Sequence, residues 1–181
     1  MEAYIDVLEG AAEWMESQGL KQWIPGTFRL EASRTHILEA IQSRKSYVVV
    51  HSPLSSAEKG DGTVAAIFAL NYNDPFDEML WAHFVDPWQD AIYVHRLVVE
   101  KPFQGQGIVP HVLAFVEQLI LASKGEKRYL RLDCRANNPM LRKFYREKSR
   151  GRDVGGLEER GEYVNPATGI GYARFERLVV P

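Results

Sequence analysis

In Gln104-Gly105-Gln106-Gly107, two glycines stand where a strand-like run, Tyr93 to Val99, gives way to a helical one. Glycine lets a backbone turn tightly or come close to a ligand. A loop that ends at a helix N-terminus adds unpaired N–H groups and the positive end of the helix dipole, which together make a phosphate site. A nucleotide P-loop is a weak reading, because no Gly-Lys-Ser/Thr follows the glycines. His95 lies in the strand-like run, and an imidazole with a pKa of about 6.5 suits a proton acceptor, although a strand histidine also serves as a satisfied core group. Cys134 is the single cysteine. It allows no internal disulfide and no cysteine-based zinc cluster, so no metal site is expected. With no base near it in sequence, it reads as a small buried side chain rather than a nucleophile.

These residues need elements to position them. Tyr4, Val7, Leu8, Ala11, Trp14 and Met15 recur at three and four residues and predict a helix over Glu2 to Gln18, ended by Gly19. Leu20 to Leu30 reads as a loop whose Trp23 either packs on the core, the simpler reading, or lines a pocket. A shorter helix follows over Thr35 to Ser43, with Ser33 as its cap and Ile37, Leu38 and Ile41 as its buried face. Tyr47 to His51 and Thr63 to Tyr72 are strands by composition, joined by the polar, glycine-rich segment Ser52 to Gly62. Asn73 to Asp90 is irregular and rich in aromatics, which either wall a substrate pocket or cover a sheet edge. After Tyr93 to Val99, the residues Val109, Val112, Leu113, Val116, Leu119 and Ile120 mark a helix with Pro110 in its first turn. Arg128 to Cys134 is a strand, Asn138 to Lys148 a helix with Pro139 at its first position, Gly151 to Gly161 irregular, and Ile170 to Val180 a last strand.

The chain has 181 residues, 22 basic against 24 acidic side chains and a net charge of −2. That length suits a single domain over residues 1–181 in the mixed α/β (α+β) class, with strands and helices in one unit. The charge gives no reason to expect nucleic acid. No apolar run approaches the roughly 18 residues a membrane span needs, and Met1 to Gly10 is acidic rather than signal-like, so a cytoplasmic protein is expected.

Leu97-Val98-Val99 followed by Gln104-Gly105-Gln106-Gly107-Ile108 resembles the acetyl-coenzyme A signature of the GNAT N-acetyltransferase superfamily: Gln or Arg, two residues, Gly, one residue, then Gly or Ala. Those positions are Gln104, Gly107 and Val109. Asn138, with Leu141 three and Tyr145 seven residues on, resembles the asparagine and tyrosine of the family's next motif, and the two motifs stand in the right order. Tyr-Val-His-Arg-Leu-Val-Val and Leu-Arg-Leu-Asp-Cys are also similar to a group of mostly bacterial, uncharacterised members with a Trp near the first helix, here Trp14 and Trp23. The resemblance implies the GNAT acyl-CoA N-acyltransferase fold, a mixed central sheet flanked by helices. Because the chain begins at its first helix, the usual first strand of that sheet is expected to be missing.

The same resemblance implies acetyl-coenzyme A as cosubstrate and a small-molecule or peptide amine as acceptor, attacked directly in a ternary complex. The N–H groups of Gly105, Gln106, Gly107, Ile108 and Val109 would cradle the pyrophosphate. The edge of Leu97, Val98 and Val99 would pair with the pantetheine arm, and Leu97 or Val98 would polarise the acetyl carbonyl. Asn138 would bond the pantetheine or cap its helix. Tyr145 would hydrogen bond the leaving thiolate, since full transfer of a phenolic proton to a thiolate is uphill. Asp133 sits where some members place a catalytic glutamate and competes with His95 as general base, with Glu100 a third candidate. Homodimers are common in such families. Val109 in place of a small residue, Pro110 without an N–H (about 1 to 3 kcal/mol if that bond is made to a charged oxygen) and Lys148-Ser149-Arg150 in place of an apolar residue, Gly and Phe depart from the pattern. They carry the alternative, a catalytically weak or inactive binding or regulatory domain.

Overall fold

Tyr4, Ile5, Leu8, Ala12 and Met15 form one buried stripe along α1 (Glu2–Ser17), the first element of the chain. Gln18 caps its end and Gly19 follows in the left-handed region at φ 71°. The structure, a computed structural model, describes residues 1–52, 62–147 and 156–180. Most of the polar segment Ser52 to Gly62, the Lys148-Ser149-Arg150 departure and residues 151–155 therefore lie outside the described residues.

Then come α2 (Glu31–Gln42), β1 (Ser46–His51), β2 (Thr63–Asn71), α3 (Pro75–Trp81), β3 (Ala91–Val99), α4 (Ile108–Ala122), β4 (Tyr129–Arg135), α5 (Pro139–Glu147), β5 (Glu158–Val164) and β6 (Gly171–Leu178). The sheet is mixed and six-stranded, in the order β1-β2-β3-β4-β6-β5. β1 with β2, β4 with β6 and β6 with β5 are antiparallel. The parallel pairing of β3 with β4 runs from Ala91 opposite Tyr129 to Val94 opposite Leu132 and stops there. β3 itself continues to Val99.

By contacts the chain divides into two compact units, Met1–Ala69 with Arg96–Ile108, and Leu70–His95 with Val109–Pro181. In the first, the α1 stripe meets Ile37 and Ile67, with Trp23, Phe28, Ile41 and Val98 packed around it. Burying an Ile or Leu side chain is worth about 1.5–3 kcal/mol, so this cluster anchors α1 and α2. Glu9 on α1 is buried too, and its carboxylate accepts N–H bonds from Gly26 (2.6 Å), Phe28 (2.7 Å) and Arg29 (3.1 Å). One acidic side chain thus shapes the turn between α1 and α2.

In the second unit Leu80, Trp81, Trp88, Ala91 and Tyr93 form the core. Arg131 is buried among them, and a buried charge must find partners. Its guanidinium donates to Glu176 Oε2 (2.9 Å), the Trp88 carbonyl (2.9 Å) and Tyr93 Oη (3.1 Å), and lies over the Trp81 ring at 4.7 Å. Burial pushes the Tyr93 phenol up to about 12, with Arg131 pulling the other way. On α5, Arg142 and Arg146 both pair with Glu159 of β5.

Several sequence expectations need correction. The second helix starts at Glu31, not Thr35, so Ser33 lies inside its first turn and Leu30 stands at the N-cap. Leu38 is exposed while Ile37 is buried, because consecutive helical residues point about 100° apart. Asn73 to Asp90 contains α3, capped by Asp74 Oδ1 on the Phe76 N–H (2.9 Å), and its Trp81 and Trp88 are buried in their own unit. Glu158 to Val164, overlapping a stretch expected to be irregular, is a strand. Its register shifts between Glu159 and Glu162, and Gly161 has φ 78°. That bulge breaks the alternation by which a strand is recognised.

Candidate active site

The glycine turn is built from its own backbone. Gly105 and Gly107 both have φ 78°, which other residues rarely adopt. Gln104 Nε2 donates to the Val99 carbonyl (3.2 Å) and Gln106 Nε2 to that of Pro102 (2.9 Å), so the glutamines tie the turn to the chain before it. α4 begins at Ile108, directly after Gly107. Its first N–H groups have no carbonyl one turn earlier to bond, and Pro110, third in the helix, has no N–H to offer. A Cβ on Gly105 would stand in open space, with no atom within 4 Å among the described residues beyond its own chain neighbours. The turn therefore has room against its backbone, as a phosphate group requires.

Asn138 is 2% exposed. Its Oδ1 accepts the Leu141 N–H at 3.1 Å and so caps α5, as expected. Its Nδ2, also buried, has no hydrogen-bond partner among the described residues. A buried amide donor left unpaired costs about 1–3 kcal/mol, so a ligand carbonyl there would recover that loss. Both features fit the amide-rich, phosphate-bearing cosubstrate.

Tyr145, on α5, is buried against Phe175 at a ring separation of 5.3 Å. Burial first, then the neighbouring Cys134 and Asp133, holds its phenol well above the ordinary range. Such a phenol keeps its proton and acts as a donor. Cys134 is fully buried and its thiol is pushed up to about 12, chiefly by burial, so it is an inert core group as its sequence context suggested.

His95 and Asp133, competitors in the sequence, come together. His95 Nδ1 lies 4.0 Å from Asp133 Oδ1, too far for a direct hydrogen bond. On the other side, His95 Nε2 is 2.8 Å from Asp77 Oδ1. A carboxylate can only accept, so in the neutral imidazole this bond puts the ring proton on Nε2 and leaves Nδ1 as an acceptor. Burial opposes charge on the imidazole, but Asp77, by charge and by hydrogen bond, then Asp133 and Asp74, outweigh it and raise the His95 pKa above its usual value. Burial also drives Asp133 up to about 6, with His95 pulling it down and Asp77 pushing it further up.

Asp77 was not foreseen. It is fully buried in the first turn of α3, and its Oδ2 has no partner among the described residues. A signal was present: Asp74-Pro75 followed by Asp77-Glu78 is a capping residue, a first-position proline and first-turn acids, the signature of a helix start. Leu97, Val98 and Val99 form the half-buried end of β3, and Glu100 follows them, its N–H bonded to the Ala65 carbonyl at 2.9 Å.

The mixed sheet, its short parallel β3–β4 pairing and the Gly-x-Gly turn that feeds α4 agree with the acyltransferase architecture that the sequence motifs resemble. The chain belongs to the Acetyltransferase (GNAT) family, whose model matches residues 11–151, and it is an acetyl-CoA-dependent acyltransferase. Among relatives, the uncharacterized N-acetyltransferase YesJ of Bacillus subtilis is 31% identical over 145 residues, 80% of this chain and 73% of that protein. A GNAT-family acetyltransferase of Listeria monocytogenes superimposes with a TM-score of 0.64 at 22% identity, covering 96% of this chain and 86% of the other. The protein yncA of Salmonella typhimurium, solved with its cofactor acetyl-CoA, gives 0.59 at 11% identity, covering 99% and 88%.

Proposed function

We propose that this chain acetylates a primary amine by direct attack in a ternary complex, with His95 as the proton acceptor. The observation that carries the reading is the half-buried imidazole held by Asp77 at 2.8 Å and faced by Asp133 at 4.0 Å. When bound, acetyl-coenzyme A supplies an activated thioester. The chain's own residues do the rest.

The turn from Gln104 to Val109 holds the pyrophosphate through backbone N–H groups. Leu97, Val98 and Val99 receive the pantetheine arm along the strand edge, Asn138 Nδ2 donates to it, and an N–H of Leu97 or Val98 polarises the acetyl carbonyl. An alkyl amine, with a pKa of about 10.4, arrives mostly as ammonium. Asp133, ionised above about pH 6, attracts that cation. His95 Nδ1 then takes the proton, and Asp77 stabilises the imidazolium. As nitrogen bonds to the carbonyl carbon and the C–S bond breaks, Tyr145 donates a hydrogen bond to the departing sulfur, and the second proton lost by the nitrogen passes to that thiolate, which leaves as free thiol.

The test is release of free thiol from acetyl-coenzyme A across an amine panel and a pH series. The rate should rise through the His95 pKa. Asp77→Asn removes the charge that holds that pKa up, so the rising limb should move to lower pH while kcat falls. A limb unmoved in both Asp77→Asn and His95→Gln rules out the imidazole as base. No thiol release with any amine, together with intact coenzyme binding, favours the inactive binding domain instead.

A further inference from the structure

Within the second unit, the carboxylate that holds His95 belongs to the first turn of α3, and a second acid, Asp74, stands at the start of that turn. We propose that Asp74 is a positioning residue of the active site: by capping α3 it fixes the turn from which Asp77 holds the imidazole. The proposal rests on the acetyl-transfer reading for what His95 does during turnover.

Asp74 is the N-cap, in an extended conformation at φ −112° and ψ 138°. Its Oδ1 accepts the Phe76 N–H at 2.9 Å, and its main-chain carbonyl accepts the Glu78 N–H at 3.0 Å. Pro75 fills the first helical position, where an N–H would have no partner within the helix. Asp77 is third in the helix, the place from which a capping-box acid reaches back to the N-cap N–H. Here its Oδ1 lies 2.8 Å from His95 Nε2 instead, and its Oδ2 is buried with no hydrogen-bond partner among the described residues. No second side-chain bond fixes the direction of this carboxylate, so the turn that carries it must do so. The N–H that Asp74 accepts is that of Phe76, whose ring meets His95 at 6.0 Å and 71° and Tyr172 of β6 at 5.4 Å and 80°. One cap therefore orders two residues that α3 sets against the imidazole.

α3 has only seven residues, too few to be stable through its own hydrogen bonds. Its last turn is anchored by Leu80 and Trp81, both fully buried. The first turn lacks such an anchor: Asp74 and Phe76 are half-buried, Pro75 is exposed, and the one fully buried side chain is a charged carboxylate, whose burial is costly unless it is paired. Losing the cap frees the end that carries Asp77 and leaves the core end packed. The charges acting on the imidazole are Asp77 first, then Asp133 of β4, then Asp74, all favouring its cation, while Arg135 acts on Asp133. The charge of Asp74 is the weakest of the three, so its cap is the larger lever.

The test pairs NMR titration of His95 in the full chain, its signals assigned with His95→Gln, with kcat for thiol release. Asp74→Asn and Asp74→Ser keep a capping oxygen and remove the charge; Asp74→Ala removes both. The hydrogen-bonded Nε2–H signal should persist in Asp74→Asn and Asp74→Ser and be lost in Asp74→Ala, whose kcat should fall about tenfold, the worth of a lost cap. The His95 pKa, and with it the rising limb of the pH–rate profile, should move down slightly in Asp74→Asn and by most of the Asp77→Asn shift in Asp74→Ala. In an Asp77→Asn background, Asp74→Ala should add almost nothing, because the cap acts through Asp77. Equal effects of Asp74→Asn and Asp74→Ala, or fully additive losses in that background, overturn the proposal. Should Asp74→Ala fail to fold, Asp74→Gly, also without a capping oxygen but well suited to an N-cap backbone, replaces it, and a parent-like Nε2–H signal there overturns the proposal. If no amine releases thiol, the titration still decides: the signal lost in Asp74→Ala and kept in Asp74→Asn supports the positioning role while the acetyl-transfer reading alone fails, and the signal kept in both overturns it.

Discussion

Replacing Asp133 by asparagine should stabilise the protein above about pH 6 and leave it unchanged below about pH 4. The folded protein holds this carboxyl at about 6 against an ordinary 3.8, a rise of roughly 2 units. At 1.36 kcal/mol per unit, ionised Asp133 costs the folded state about 3 kcal/mol. The sign follows from linkage. A raised carboxyl pKa means the folded chain binds the proton more tightly than the unfolded one, so parent stability falls as pH climbs from about 4 to 6 and is level beyond. Asparagine cannot ionise and loses nothing over that window. For a chain of this length 1 kcal/mol moves Tm by about 2–4 °C, so the variant should melt roughly 6–12 °C higher at pH 7. Protonated His95 loses an attractive neighbour in the variant, which trims the gain where the imidazole is charged. The assay is a set of melting curves for both proteins from pH 4 to 8, with kcat/KM at each pH. A constant gap between the two curves across that range refutes the account of Asp133 as a destabilised, functional carboxylate. A variant both more stable and less active is the expected pairing for a group kept for chemistry.

Tyr145→Phe should cut kcat by about 10- to 150-fold, the worth of a hydrogen bond of about 1.5–3 kcal/mol to a charged sulfur; an unchanged kcat removes the phenol from the mechanism. Gly105→Val should leave the fold intact but weaken coenzyme A binding, because the branched side chain resists φ 78° and occupies open space beside the turn, and calorimetry decides it. Glu9→Ala should cost about 2–4 kcal/mol by releasing three backbone N–H groups, with Glu9→Gln recovering part; denaturant melts of the three proteins provide the check, and equal stability would show that water satisfies the turn as well as the carboxylate does.

Long periodic segments were legible from sequence because their burial has one direction. The stripe of α1 and the β3-turn-α4 passage follow from spacing alone, and the Asn138 cap of α5 is one of the two roles the sequence left open for that residue. α3 was hidden because seven residues hold too few turns for a period, and its aromatics masked the Asp74-Pro75 start. β5 was hidden by a bulge at Gly161 and by Glu159, which faces Arg142 and Arg146 rather than water. Asp133 and His95 were each readable as candidates, but their approach depends on β3 and β4 lying side by side, which no local pattern encodes. Asp77 needed that pairing and the unrecognised helix as well.

Glu9 holds the turn from Gly26 to Arg29 through main-chain amides alone. Those three bonds do not depend on which side chains the loop displays, although Thr27 Oγ1 also donates to the Ile24 carbonyl (2.6 Å) and Arg29 pairs with the exposed Asp6 (2.8 Å). A library randomised at Ile24, Thr27 and Arg29 in the present chain would read how much sequence freedom a turn gains when a single buried carboxylate holds its main chain.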